Sequence, residues 1–257
     1  MSYSNPIRLK ITSSLFKSIY YGIRRIISIG LSTFVLERKF KNDFVLYNKL
    51  AGEKKALKEN LFPCLNEATH YTEIEPIYFY QDAWAFERIY KDKPVNHIDI
   101  GSHHKFVSFL SKVTNLIVVD IRPFSLVLES IIFIKGDILK LPFDDFSISS
   151  LSSLCVIEHI GLGRYGDKID PFGSEKAFKE INRVLKIGGN FYFSVPVETE
   201  NKTYFNAHRS FKEDYIFNKM LPNYIIVDKK YIYGTSFQND LDPSRFGIGC
   251  FQVKKLE

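Results

Sequence analysis

From residue 96 onward the sequence repeats one unit: a short apolar run that stops at a carboxylate, a glycine or a proline, then a stretch with helical spacing. The runs are Asn96–Ile100, Asn115–Asp120, Ile131–Ile134, Leu151–Ile157, Phe191–Val195, Tyr224–Asp228 and Gly249–Val253. Between them Lys105–Lys112, Glu175–Leu185 and Phe211–Met220 read as helices. Strands this apolar have no polar side to give to water. The alternation therefore predicts an α/β fold, a doubly wound and mostly parallel sheet with helices on both faces. Ligands of such sheets bind beyond the C-terminal strand ends, where the strand order reverses. The residues to weigh for chemistry are those near the strand ends: Asp99, Gly101, Asp120, Asp137, Glu158 and Pro196.

Charge separates this body from what precedes it. The 257-residue chain carries a net +6; residues 1–40 hold seven Lys/Arg against Glu37 alone, and 41–257 balance at 28 of each sign. A nucleic-acid domain would carry its basic patch on the folded body, so nucleic acid is not an expected partner. Within the basic segment, Leu15–Leu36 places Leu15, Ile19, Ile23, Ile26, Ile27 and Phe34 at helical spacing, with Lys10, Lys17 and Arg24 opposite. Its longest uncharged run, Ile26–Leu36, has 11 residues, short of the roughly 20 that span a bilayer. Two readings stand for this amphipathic helix: it lies on an anionic membrane surface, or it docks its apolar face on protein. Residues 41–95 read as a helical lead-in, with helical stretches near Asp43–Glu59 and Tyr78–Tyr90, and 96–257 as the domain. Cys64, Cys155 and Cys250 are far apart and show no CxxC spacing. Reduced thiols in a cytoplasmic protein, peripheral on the inner membrane face where the helix docks, are the expectation.

Five segments in order, HIDIGS, VVDIRP, KGDILKLPFDD, SLCVIEHI and EINRVLKIGGNFYFSVPV, resemble the class I S-adenosylmethionine-dependent methyltransferase fold. The run EHIGLGRYGDKIDPFG followed by FNAHR resembles more narrowly a bacterial family of unknown function associated with polysaccharide biosynthesis. Together these cover His97 to Arg209. Gly101 lets backbone approach a ligand where a Cβ would collide. Asp120, ending the second strand, is placed to accept from ribose hydroxyls, and Asp137 from an adenine amino group. The resemblance implies S-adenosylmethionine as cofactor, held by Asp99, Gly101, Asp120, Asp137 and Ile138, with Asp99 at the methionine amino end. One departure stands out: Gly101-Ser102-His103-His104-Lys105 holds one glycine where the family has two or three. The missing G-x-G-x-x-G also counts against a nicotinamide site, although Asp120 stands 19 residues after Gly101.

Methyl transfer to a hydroxyl needs an aligned acceptor and a base. Glu158 and His159 end the fourth strand, and Arg164, Tyr165 and Asp167 follow in a glycine-rich loop suited to a substrate lid. Asn206, His208 and Arg209 follow the fifth strand. His159 and His208 are the base candidates; the others are acceptor contacts, with Arg164 and Arg209 suited to an anionic group. No metal site is expected, because His103 and His104 are adjacent and lack further ligand spacing. The leading expectation is O-methyl transfer to a glycan or lipid-linked sugar. The alternatives are a non-catalytic scaffold in a membrane-associated glycan-assembly complex and a different reaction on a sugar intermediate.

Overall fold

The computed structural model describes residues 33–126, 128–242 and 244–256. The chain divides into two units, Met1–Glu73 and Ile74–Glu257. Of the helix expected over Leu15–Leu36, residues 15–32 lie outside the described residues. In the first unit, helix α1 covers 33–50. Gly52 follows with φ +55, which turns the chain out of the helix. The Asn48 side chain then ties the next segment back: its Oδ1 accepts from Ala56 N at 2.8 Å and its Nδ2 donates to Ala56 O at 3.0 Å.

The second unit begins with α2 (Pro76–Asp92). Pro76 needs no amide partner in the first turn, and the Glu75 carboxylate accepts from Tyr78 N at 2.7 Å. Lys93, at φ +48, and Pro94 end the helix. Gln81, Trp84, Ala85 and Ile89 share its buried face. Trp84, Ala85 and Ile89 pack in one core cluster with Tyr192, Ile232, Ile248 and Cys250, so α2 packs on the sheet.

The sheet strands are β1 (Asn96–Ile100), β2 (Asn115–Asp120), β3 (Ile131–Lys135), β4 (Ile148–Leu154), β5 (Leu185–Val197), β8 (Tyr224–Tyr233), β9 (Ser236–Gln238) and β10 (Gly247–Lys255); β6 (Lys202–Tyr204) and β7 (His208–Ser210) form a separate hairpin. Their order is β3-β2-β1-β4-β5-β10-β8-β9. β1 to β5 pair in parallel, while β10 inserts antiparallel between β5 and β8. The predicted α/β class holds. One face is covered by α2 and α3 (His104–Leu110), through Trp84, Phe106 and Leu110. The other is covered by α4 (Gly173–Val184), through Ala177, Phe178 and Ile181.

Two local expectations shift. The strand expected over Leu151–Ile157 ends at Leu154, because Cys155 takes φ +50 and Ile157–His159 closes a 3-10 turn. The helix expected over Phe211–Met220 is a short turn, Glu213–Tyr215, running into a π turn, Ile216–Met220. The strand order reverses between β1 and β4, which both carry parallel neighbours outward, and this is where such sheets open a crevice.

Candidate functional site

A cavity of ≈ 1140 Å³ lies at that reversal. The ends of β1, β2 and β4 supply Gly101, Asp120 and Cys155; the turn after β3 supplies Asp137 and Ile138; the glycine-rich loop supplies Tyr165 and Asp167. Tyr78 and His103 close the α2 side, and Phe124, Leu128 and Ile131 form an apolar wall.

Gly101 stands at φ +68, and a Cβ there would sit 3.1 Å from Val156 Cγ1 and 3.8 Å from Asp120 Oδ2. Its bare backbone forms the cavity floor beside that carboxylate. Asp120 Oδ1 accepts from Arg122 N at 2.8 Å, which fixes the side chain, and Oδ2 has no hydrogen-bond partner among the described residues. Asp137 is set the same way, with Oδ1 accepting from Leu139 N at 2.9 Å. Ile138 is buried against the core under it. The chain thus presents two oriented carboxylates and an apolar floor.

The single glycine is explained by the backbone. Among residues 101–105 only Gly101 has positive φ, and His103 sits at φ −63, ψ 135. Ser102 N–H donates to Asp99 at 3.1 Å, and its hydroxyl takes a structural part that a glycine could not: Oγ–H donates to Asp99 at 2.6 Å and Oγ accepts from Leu154 N at 3.0 Å. Asp99 also accepts from Ser152 Oγ at 2.5 Å. It is fully buried, outside the cavity lining, and desolvation raises its carboxyl to about 6. The expectation that Asp99 meets a ligand's amino group gives way to an internal role, because its oxygens already tie the β1 loop to β4.

Of the two histidines, His159 lines the cavity and His208 does not. His159 Nδ1 lies 2.6 Å from the Ala207 carbonyl, which can only accept, so Nδ1 carries the proton and Nε2 the lone pair. Burial, aided by the Arg164 guanidinium and opposed by the Ala207 bond, brings this imidazole down to about 4. It is neutral at pH 7. The His208 ring packs beside Tyr204 and Phe246, and its Nε2 is buried without a hydrogen-bond partner among the described residues.

Glu158 is buried beneath His159, its Oε1 3.7 Å from His159 Nε2, and burial pushes its carboxyl up to about 8. A group with a higher pKa folded than unfolded (about 4.3) contributes stability at low pH and loses it as pH rises through the folded value. The unfolding free energy is therefore expected to fall between about pH 4.5 and 8. Urea titrations at pH 5 and 8 test this: Glu158→Gln flattens the decline, and an unchanged slope would assign it elsewhere.

Arg209, Arg164 and Asn206 do not face the cavity. Arg209 is buried and donates to Ile160 O at 2.6 Å, Ser174 Oγ at 3.1 Å, Asp170 O at 3.0 Å and Pro171 O at 3.2 Å. With its donors spent on loop 160–171, it is not available to an anionic acceptor. Arg209→Met should cost about 2–4 kcal/mol by leaving buried carbonyls unpaired, read from urea unfolding; a loss under 0.5 kcal/mol would contradict this. Arg164 donates to Ala207 O at 3.0 Å and lies outside the cavity lining. Asn206, at φ +63, is the turn of the β6–β7 hairpin and also lies outside it.

Asp167 lines the cavity but spends its oxygens on Gly161 N at 2.7 Å and Tyr165 N at 3.2 Å. Tyr165 sits across from β2 with the Arg122 guanidinium 4.3 Å from its ring centre, and His159 meets its edge at 5.5 Å. Arg122, Tyr78 and His103 were not among the sequence candidates. Their signal was weak, since Arg122 reads as a turn residue and Tyr78 as part of a core helix.

A family profile described as Caenorhabditis protein of unknown function, DUF268, matches residues 142–222. No curated protein sequence matches the chain. Among solved structures, a Galdieria sulphuraria protein described as a candidate sarcosine dimethylglycine methyltransferase aligns at TM-score 0.50 and 12% identity, over 69% of this chain and 85% of that one. The N-methyltransferase NodS of Bradyrhizobium japonicum, solved with S-adenosylhomocysteine, aligns at 0.49 and 13%, over 72% and 90%. The [4+2]-cyclase SpnF aligns at 0.48 and 12%, over 68% and 81%. With its strand order, its antiparallel β10 and its cavity at the β1/β4 reversal, this chain has the class I S-adenosylmethionine-dependent methyltransferase fold.

Proposed function

We propose that the protein is an S-adenosylmethionine-dependent methyltransferase. The observation that carries the reading is the Asp120 carboxylate, fixed through Oδ1 and open through Oδ2, beside the bare backbone of Gly101. That pair fits a ribose: one oriented acceptor for two hydroxyls, next to a floor that a Cβ would fill. Asp137 suits an adenine amino group and Ile138 its ring face. When bound, the cofactor supplies an electrophilic methyl group. The chain's part is to orient donor and acceptor, exclude water and take a proton from the acceptor hydroxyl. His159 has the tautomer for that last task, with the lone pair on Nε2, and Tyr165 and the 160–171 loop close the site above it.

The acceptor class we propose is a sugar hydroxyl on a glycan or lipid-linked intermediate of surface polysaccharide synthesis. Its support is the resemblance of EHIGLGRYGDKIDPFG and FNAHR to the bacterial family above. A peripheral place at the inner membrane face is supported by the basic charge of residues 1–40; no helix among the described residues is long and apolar enough to cross a membrane. The test is release of S-adenosylhomocysteine from S-adenosylmethionine with polyprenyl-phosphate-linked and nucleotide-linked sugars. Release that depends on one of these supports the reading. Donor binding with no release across the set would favour another acceptor, and no donor binding would favour the non-catalytic scaffold.

A further inference from the structure

The first unit carries an apolar tip that stays exposed although its backbone is fixed. Past α1, Lys54 N donates to Ala51 O at 2.9 Å, and the Asn48 side chain clamps Ala56 through both its amide atoms. Lys58–Asn60 then closes a 3-10 turn, with Asn60 N donating to Leu57 O at 3.1 Å and Leu61 N to Lys58 O at 3.3 Å. On this backbone Leu57, Leu61 and Phe62 are 53%, 40% and 85% exposed. Lys54, Lys55 and Lys58 alternate with them in the chain and are exposed as well. We propose that residues 57–62 insert into the interfacial layer of an anionic lipid bilayer, with Lys54, Lys55 and Lys58 at the lipid phosphates. The inference rests on the peripheral-membrane reading above and adds an apolar contact to the charge of residues 1–40.

Three observations support the assignment. First, singly exposed apolar side chains are ordinary, but three within six residues, bordered by lysines, mark a contact surface. The hydrogen bonds of the turn and the Asn48 clamp hold the segment in shape, so little backbone ordering opposes its use. Second, the charge matches the partner. Residues 49–62 hold Lys49, Lys54, Lys55 and Lys58 against Glu53 and Glu59, an excess that suits phosphate headgroups.

Third, size favours a bilayer over a protein. Even at about 250 Å² each, the area of a large aromatic, three side chains fall short of the about 800 Å² per partner that a specific protein interface buries. A bilayer sets no such threshold, because each apolar side chain contributes on its own. Lysine stems can lie along the apolar layer while their ammonium groups stay among the headgroups. The two parts of the contact respond differently to salt: attraction between lysine and phosphate is screened, and apolar insertion is not.

Co-sedimentation of the full chain with vesicles of phosphatidylglycerol and phosphatidylcholine tests the tip. The pair Leu61→Ser and Phe62→Ser should weaken partitioning about tenfold, and the loss should fall on the binding that survives high salt. Both side chains are exposed, so the fold does not depend on them. Changing Lys54, Lys55 and Lys58 together to Gln should lower binding at low salt and flatten its salt dependence. Phe62→Trp supplies a local readout: the new indole's emission should shift to the blue with these vesicles. Wild type, whose single Trp84 is 3% exposed, should show no shift. Wild-type binding with no blue shift in Phe62→Trp and no loss in the serine pair overturns the tip and leaves the peripheral reading to residues 1–40. A wild type that stays off the vesicles overturns both. Self-association in sedimentation velocity without lipid, abolished by the serine pair, would assign the tip to a second copy and overturn lipid as its occupant.

Discussion

Replacing Asp120 by alanine should weaken S-adenosylhomocysteine by about 1–3 kcal/mol, or roughly 5- to 150-fold, the scale of lost hydrogen bonds to a charged group. The expectation follows from how the carboxylate is held. Its Oδ1 accepts from Arg122 N, so the side chain is already oriented, and Oδ2 is left for a ligand. Little ordering cost opposes the bonds it makes. Asp120→Asn, which keeps the shape but donates through one atom, should fall between wild type and alanine. An alanine variant that binds with unchanged affinity would show that the nucleoside does not lie against Asp120. Thermal denaturation should separate loss of binding from loss of fold, since Asp120 anchors only the turn that follows β2.

The second large effect is expected at His159. His159→Gln should leave S-adenosylhomocysteine affinity within about twofold and lower turnover by about 10²- to 10⁴-fold, the contribution of a positioned general base. The neutral imidazole, held at about 4 by burial, is unprotonated throughout the neutral range. The acid limb of the rate profile should therefore titrate near 4 rather than at the ordinary histidine value near 6.5. Normal turnover in the variant would remove His159 as base. His208 is the natural comparison. Its ring is packed between Tyr204 and Phe246 and outside the cavity lining, so His208→Ala should cost more in stability than in turnover.

The parallel half of the fold was legible because its strands are buried on both faces. Asn96–Ile100 and Asn115–Asp120 are short segments with β-branched cores and clear stops, and the structure keeps both boundaries. The β6–β7 hairpin was not legible: three residues a side leave no period to read, and its turn rests on Asn206 at φ +63. Strand-end carboxylates drew attention through position, yet position does not reveal how many partners a side chain already has. Asp120 and Asp99 look alike in sequence. Asp99 points inward to Ser102 and Ser152, while Asp120 keeps an oxygen open. Arg209 looked like a binding residue for the same reason, and its loop-holding role depends on carbonyls 38 to 49 residues away. Tyr78 was hidden differently: α2 reads as a core helix, and only the packing of its N-terminal turn beside His103 brings it to the cavity.

The central claim is that this cavity binds a nucleoside-linked methyl donor. Its most direct test is calorimetry of the full wild-type chain with S-adenosylmethionine and S-adenosylhomocysteine. Saturable one-site binding of both, weakened by Asp120→Ala, is the predicted result; no heat and no thermal shift with either ligand at millimolar concentration would contradict it.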